Sequence, residues 1–206
     1  MIAGEQGRAH LARYTKGAAH VRPEQLVGPS AVLLLVAASA NDVQVLLIQR
    51  APDLRHHGGQ MALPGGGYES GDGTLWHTAL REAGEEVGLP FGAAAPVGHL
   101  TPIVIGVSGY TVVPWVATVG APLALHPAAG EVAAAWWVPV ADLAPARQVG
   151  VHQRSNGQQG PWPEFHLPVG RVWGATAFIL DEFLHAWGGG RPKAWRYRAL
   201  LGGTAP

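Results

Sequence analysis

The chain has 206 residues, of which 48% are hydrophobic and 14% are charged. This balance excludes a disordered chain, because there is enough apolar surface to offset the entropy lost on folding. The length fits one domain with short extensions. Lys and Arg total 14, as do Asp and Glu, so no overall electric field favours nucleic acid or an anionic membrane. The absence of cysteine excludes disulfides, thiolate zinc sites and a cysteine nucleophile.

The first predicted elements are an N-terminal helix or arm over residues 1–28 and a β-hairpin after it. The hairpin strands cover residues 31–38 and 43–48 and turn at Asn41-Asp42. The apolar run of the first strand is far shorter than the roughly 20 residues that cross a bilayer. Its small residues 38–40 also resemble a secretory cleavage site, but cleavage there would divide the hairpin. We therefore expect a cytoplasmic protein without a transmembrane helix.

A glycine- and proline-rich loop over residues 51–67 comes before the strongest helical pattern in the chain. From residue 74 to residue 87, apolar side chains recur every three or four positions, which predicts a helix with one buried stripe. Asp72 or Thr74 can cap its start, and Gly88 ends it.

The remainder of the chain predicts three strands and one helix. The strands are expected at residues 99–107, 110–119 and 134–138, and the helix at residues 172–187. Residues 141–170 predict a long polar connection that contains proline. The predicted organisation is an N-terminal arm over residues 1–28, one domain over residues 29–188 and a basic tail over residues 189–206.

Three carboxylates in the first predicted helix indicate a metal site. Glu82, Glu85 and Glu86 have i, i+3 and i+4 spacing, which places them on one helical face, where they repel one another unless a cation neutralises them. Mg²⁺ or Mn²⁺ is the natural partner, since hard cations take carboxylate and carbonyl oxygens. The alternative is an acidic face in solvent. The glycines at 65–67 favour the metal site, because their carbonyls can reach the same cation.

Residues 67–89 resemble the Nudix box, a pattern of Gly, five residues, an acid, a spacer and then R-E-U-x-E-E-x-G-U. Residues 81–89 match its second half almost completely. The first half departs from the pattern: Gly73 stands where Glu is usual, and the nearest acid is Asp72, one residue earlier.

Further motifs resemble the coenzyme A pyrophosphatase branch of the Nudix family, in which the box commonly begins with Asp at this offset. They include residues 46–51, followed by Arg55, Gly59 and residues 63–66, although Ile48 stands where the branch often has Thr. Two later stretches also resemble that branch, at residues 108–116 and 171–177. The resemblance covers about residues 30–187.

The resemblance implies an α/β fold, the Nudix α/β/α sandwich with a mixed β-sheet and a loop-helix-loop metal site. It implies an Mg²⁺- or Mn²⁺-dependent hydrolase that splits the diphosphate of coenzyme A or its thioesters into 3′,5′-ADP and 4′-phosphopantetheine species. The alternatives are a Nudix pyrophosphatase for ADP-ribose, nucleotide sugars or nucleoside triphosphates, and a non-catalytic nucleotide sensor. The expected partner is a small nucleotide, not nucleic acid or a membrane, and a homodimer is left open.

The resemblance also assigns roles to the residues of the box. Glu82 and Glu86 are the expected main metal ligands and catalytic residues, with Glu85 as an additional ligand and the Gly66 carbonyl as a main-chain ligand. Asp72 and Arg81 are expected to form a structural ion pair.

Four residues outside the box are candidates for the rest of the site. Glu131 stands where many Nudix enzymes supply a late acid and is a candidate base or ligand; the alternative is an ordinary loop glutamate. Arg50 and Arg55 can bind substrate phosphates, or they are surface charges. Trp173 is a candidate for lining the substrate groove, and the alternative is a place in the helix core. The ten histidines show no metal-ligand spacing.

Overall fold

The computed structural model describes residues 4–15, 21–38, 43–106, 108–153 and 159–190. Within these ranges the helices are α1 (Gly4–Tyr14), α2 (Leu75–Val87), α3 (Val140–Ala146) and α4 (Gly174–Trp187). The strands are β1 (Pro29–Ala38), β2 (Val43–Arg50), β3 (Met61–Ala62), β4 (Gly65–Gly67), β5 (Ala95–His99), β6 (Ile103–Val104), β7 (Thr111–Val119), β8 (Val132–Pro139), β9 (Arg147–Gln153), β10 (Gln159–Leu167) and β11 (Gly170–Val172).

Eight of the strands form one mixed sheet. Its central order is β3-β2-β1-β7-β5, with β8 also on β2, β4 on β1 and β6 on β7. β1 and β7 run parallel, whereas the other pairs in this sheet are antiparallel. β1 and β2 form the predicted hairpin, with Val36 opposite Val45. The predicted turn at Asn41-Asp42 lies outside the described residues.

Helices cover both faces of this sheet, which confirms the predicted α/β/α sandwich. Along β1, Leu34 and Val36 contribute to a core that also contains residues of α1 and α4. Leu33 and Leu35 contribute to a second core, which contains the buried stripe of α2. The continuous apolar run in β1 therefore reflects a central strand that is buried on both faces.

Helix α2 begins and ends as its sequence predicts. Thr74 is the N-cap, and its hydroxyl accepts a hydrogen bond from the His77 amide at 3.2 Å. Gly88 ends the helix in the left-handed conformation, with φ of 72°. Asp72, the other predicted cap, instead ends the 3₁₀ turn Ser70–Asp72 before the helix.

The single strand predicted over residues 99–107 is wrong. β5 ends at His99, and only Ile103–Val104 pairs again with β7. Between the two strands, the Thr101 amide donates to the carboxylate of Glu182 at 3.1 Å. The Leu100 amide still bonds to the Pro114 carbonyl of β7, but the next amide that would face β7 belongs to Pro102, which has no N–H, so the ladder breaks there.

The long connection predicted over residues 141–170 is also wrong. It contains α3 and the strands β9 and β10, which form a three-stranded antiparallel sheet with β11. Phe165 of β10 is fully buried in the core beneath α4. Prolines and polar residues hide the alternating pattern of these strands, and their partners are supplied by tertiary packing.

The N-terminal helix α1 packs against α4. Leu11 is fully buried, and Gly7 lies so close to the Trp187 indole that a Cβ atom would overlap the ring. The predicted division into arm, domain and tail remains a prediction, and residues 191–206 of the tail lie outside the described residues. Within the described part of the chain, no helix is both long and apolar enough to span a bilayer.

We predict that Leu35→Ala lowers the free energy of unfolding by about 2–5 kcal/mol. Leu35 is fully buried between β1 and α2, so truncation removes apolar contacts and leaves a cavity. Urea unfolding followed by circular dichroism measures the change. The matched control Phe91→Ala, at a side chain that is 85% exposed, should change it by less than about 0.5 kcal/mol. Equal effects of the two variants would contradict this description of the core.

Candidate active site

The candidate site lies where α2 approaches the glycines of β4. Gly66 is opposite Ala31 of β1, and a Cβ atom on Gly66 would overlap the Glu82 carboxylate. A Cβ atom on Gly65 would overlap the Ala31 carbonyl oxygen on the neighbouring strand. The missing side chains therefore allow the loop, the central strand and the acidic helix to come together.

Glu86 is the most deeply buried carboxylate of the box, with 3% of its surface exposed. Its Oε2 accepts a hydrogen bond from the Gly65 amide at 2.9 Å, and Arg50 Nη1 lies 3.4 Å from its Oε1. Burial raises the pKa of Glu86 to about 7, against the opposing effects of Gly65 and Arg50. The negative charges of Glu82 and Glu131 raise it further. The surroundings thus favour additional positive charge beside Glu86.

Glu82 lies one helical turn before Glu86 and is also largely buried, with 17% of its side chain exposed. Burial raises its pKa, and the neighbouring charge of Arg81 acts in the opposite direction. Burial at the same loop raises the pKa of both carboxylates, and the charge of Glu82 raises the pKa of Glu86 further. They form a pair whose joint ionisation costs free energy unless a cation is bound.

Arg81 connects the box to the preceding loop. Its Nε donates to Asp72 Oδ1 at 2.8 Å, and its Nη2 donates to the Gly67 carbonyl at 2.9 Å. The same guanidinium lies 3.0 Å from Glu82 Oε1 and 3.0 Å from Glu85 Oε2. These contacts place Asp72 and Arg81 in the ion pair that the resemblance assigns to them. They also turn Glu85, whose side chain is 57% exposed, toward Arg81.

Asp72 is held as an ionised acceptor. Burial acts to raise its pKa, but hydrogen bonds from Arg81, the Glu69 amide and the Thr78 hydroxyl lower it from 3.8 to about 2. Thr78 is fully buried and donates to Asp72 Oδ2 at 2.8 Å. This role of Thr78 was not predicted from the sequence, and its position three residues before Arg81 was the available signal.

The other predicted residues are distributed around this centre. Glu131 is exposed just before β8, and its carbonyl accepts a hydrogen bond from the Ala51 amide at 2.8 Å. This places Glu131 next to the end of β2, where Arg50 reaches Glu86. From the sequence, Arg50 was predicted to bind substrate phosphates or to be a surface charge, and its contact with Glu86 was not predicted. Arg55 is exposed in the loop after β2.

Trp173 stands at the N-cap of α4, on the helix that packs on the opposite face of the sheet from α2. Its side chain is 39% exposed, so the alternative expectation of a helix-core position is wrong.

The donor set at the box is two buried carboxylates and nearby main-chain oxygens. Within the described residues, no group of three His, Cys, Asp or Glu side chains is arranged to hold a metal ion by itself. Oxygen donors suit Mg²⁺ or Mn²⁺, which keep water and substrate oxygens among their ligands. The largely buried pair Glu82 and Glu86, with raised pKa values, fits such a cation, because its positive charge would favour the ionised form of both carboxylates.

The arrangement of loop, acidic helix and mixed sheet defines a class of protein, and comparison with known proteins identifies it. The NUDIX domain family profile matches residues 28–159, and the chain belongs to the Nudix family. Nudix enzymes hydrolyse diphosphate bonds of small nucleotide substrates.

Two relatives from bacteria are described as uncharacterized Nudix hydrolases NudL. The one from Klebsiella pneumoniae subsp. pneumoniae is 39% identical over 143 residues, which cover 67% of this chain and 72% of the relative. The one from Salmonella heidelberg is 36% identical over 180 residues, which cover 84% of this chain and 90% of the relative. A solved MutT/nudix family protein from Enterococcus faecalis has a TM-score of 0.52 at 15% identity, covering 84% of this chain and 64% of that chain. This last similarity supports the fold alone.

We predict that Asp72→Asn lowers the free energy of unfolding at pH 7 by about 1.5–3 kcal/mol, because it weakens hydrogen bonds to a charged group. The folded-state pKa of Asp72 is depressed, so its stabilisation is present above its ordinary value of 3.8 and is lost as the pH falls through about 2. Urea unfolding of the wild type and the variant between pH 2 and pH 7 measures the difference. The two curves should converge at the acidic end.

The exposed Asp53→Asn is the control and should follow the wild-type curve. A constant difference between Asp72→Asn and the wild type across this pH range would contradict the ionised role of Asp72.

Proposed function

We propose that this chain is an Mg²⁺- or Mn²⁺-dependent hydrolase that cleaves the diphosphate of coenzyme A or its thioesters into 3′,5′-ADP and 4′-phosphopantetheine species. The observation that carries the diphosphate chemistry is the buried pair Glu82 and Glu86, packed against the glycines of β4. The choice of coenzyme A rests on the motifs that flank the box, at residues 46–51, Arg55, Gly59 and residues 63–66 before it and at residues 108–116 and 171–177 after it.

Glu82, Glu86 and the Gly66 carbonyl would hold the metal, with Glu85 as an additional ligand. When bound, the cation neutralises diphosphate charge and makes a water molecule more acidic. Arg81 lies 3.0 Å from Glu82 Oε1, so a bound cation would share the Glu82 carboxylate with this guanidinium, which Asp72 and the Gly67 carbonyl hold in place. Its contacts fix the loop relative to the helix, which keeps the donor oxygens in place before substrate binds.

Arg50 and Glu131 complete the proposed machinery beside Glu86. Arg50 has a buried Nε for which the structure records no hydrogen-bond partner among the described residues, and its Nη1 is 3.4 Å from Glu86. The Arg50 side chain is 28% exposed, so the exposed N–H groups of its guanidinium can donate to a substrate phosphoryl oxygen. Glu131 is close enough to influence the Glu86 carboxyl and is solvent-exposed, so it can accept a proton from water and release it. Arg55, in the loop that follows β2, is the second proposed phosphate-binding residue.

We predict that Glu86→Gln lowers kcat by roughly 10³-fold, which corresponds to about 4 kcal/mol of lost transition-state stabilisation. The substitution keeps the shape of the side chain and removes a buried charge, so the melting temperature should be unchanged or higher. The measurement is steady-state hydrolysis with Mg²⁺ together with a thermal melt. Glu24→Gln, at an exposed glutamate of the 3₁₀ turn Pro23–Gln25, is the matched control and should keep wild-type kcat. Full activity of a folded Glu86→Gln variant would contradict the metal-ligand role.

A substrate panel tests the choice of coenzyme A. Purified protein with Mg²⁺ or Mn²⁺ is given coenzyme A, an acyl-coenzyme A, ADP-ribose, a nucleotide sugar and a nucleoside triphosphate, and products are separated by chromatography. We expect the highest kcat/KM with coenzyme A or its thioester. Faster cleavage of another substrate would replace this assignment with the broader pyrophosphatase alternative. Metal-dependent binding without turnover of any compound would identify a sensor.

A further inference from the structure

The hairpin of β10 and β11 exposes polar side chains on one of its faces. Phe165 and Val172 are opposite each other and fully buried against α4. His166 and Arg171 are the next pair in the register, and because side chains alternate along strands they point to the other face. Their side chains are 46% and 52% exposed. The hairpin therefore presents an imidazole and a guanidinium side by side to solvent.

A buried acid fixes the orientation of both groups. Glu164 is 7% exposed. Its Oε2 accepts from Arg171 Nε at 3.0 Å and from Nη2 at 2.5 Å, and its Oε1 accepts from His166 Nε2 at 2.9 Å. A guanidinium has five N–H donors, and among the described residues the hydrogen bonds of Arg171 use Nε and Nη2, so its Nη1 can donate to another acceptor. Glu164 thus holds Arg171 in one orientation, which reduces the entropy that binding would cost.

Trp173 lies on the same face of the hairpin as Arg171. Its backbone is extended, with φ of −146° and ψ of 179°, so its side chain follows the alternation past Val172. The indole is 39% exposed. An indole face binds a purine base by stacking, and the neighbouring Arg171 and His166 can donate to phosphate oxygens. We call His166, Arg171 and Trp173, with Glu164 beneath them, the β10–β11 platform.

The β10–β11 platform is connected to the candidate active site through β3. Gly170 packs on Met61: a Cβ atom at Gly170 would lie 3.1 Å from the Met61 Cγ atom. Met61 stands four residues before Gly65, and four residues of chain span at most about 14 Å. The hairpin therefore lies beside the segment that leads into the glycines of the box, on the side of the sheet that carries α4.

We propose that the β10–β11 platform binds the 3′-phosphorylated adenosine end of the substrate, with the adenine on Trp173 and the 3′-phosphate on Arg171 and His166. This proposal rests on the proposed function for its substrate, and it adds a separate determinant of specificity. Arg171 and His166 discriminate a nucleotide that carries the 3′-phosphate from one that lacks it, whereas Trp173 binds both.

The test compares coenzyme A with 3′-dephospho-coenzyme A as substrates, and 3′,5′-ADP with 5′-AMP as ligands in calorimetry. The wild type should have the higher kcat/KM for coenzyme A and the tighter binding of 3′,5′-ADP. Arg171→Gln should lower kcat/KM for coenzyme A at least tenfold, mainly through KM, and leave 3′-dephospho-coenzyme A within twofold. Trp173→Leu should raise KM for both substrates by similar factors. The exposed Arg22→Gln is the charge-matched control and should change neither substrate.

Removal of Arg171 leaves Glu164 buried without its cation, so thermal melts accompany every assay. If Arg171→Gln does not fold, Arg171→Lys and His166→Gln provide the same comparison, with a reduced preference for the 3′-phosphate expected. Coenzyme A hydrolysis with equal wild-type kcat/KM for both substrates, or with a preference that Arg171 variants leave unchanged, would overturn the platform and leave the proposed function intact. Arg171-dependent binding of 3′,5′-ADP without hydrolysis of coenzyme A would support the platform and remove the proposed function.

Discussion

The close approach of α2 to the backbone of β4 is the constraint on which the site depends. Gly65 and Gly66 leave room for Ala31 on one side and for the Glu82 carboxylate on the other. That contact takes Glu82 and Glu86 out of water and raises the pKa of each. Burial of two like charges opposes folding, and a cation bound beside them would offset this cost.

Helix caps and the hydrogen bonds of Arg81 hold these carboxylates in place. Thr74 and Gly88 cap the two ends of α2, while Arg81 links Asp72, the Gly67 carbonyl and Glu82. The acids of the box thus divide into two sets. Asp72 is ionised and structural, with a pKa of about 2, whereas Glu86 titrates near neutrality because it is buried. Opposite pKa shifts within one short motif distinguish its structural acid from its proposed ligand.

The small sheet of β9, β10 and β11 packs on the α4 side of the main sheet and contacts β3. Its buried residues belong to the core beneath α4, as Phe165 and Val172 show. Its exposed face carries Arg171 over the buried Glu164, in a pairing that resembles the relation of Arg81 to Asp72. In both places a buried carboxylate orients a guanidinium that reaches another group or solvent. The glycines of β4 position the carboxylates proposed to act on the diphosphate, whereas the β10–β11 hairpin carries the side chains proposed to recognise the nucleotide.

The sequence by itself determined the Nudix box, the central hairpin and both major helices, because their signals are local. Helical spacing placed Glu82, Glu85 and Glu86 on one face, and the α/β/α sandwich followed from the resemblance. Only the tertiary structure decided that Glu85 turns to Arg81 while Glu86 is buried, since the spacing of the three acids is equivalent in a helix without a sheet beside it. It also decided the bond from the Thr101 amide to Glu182 and the strands within residues 141–170. These features depend on partners distant in the chain, and such pairings leave no periodic trace in the segment itself.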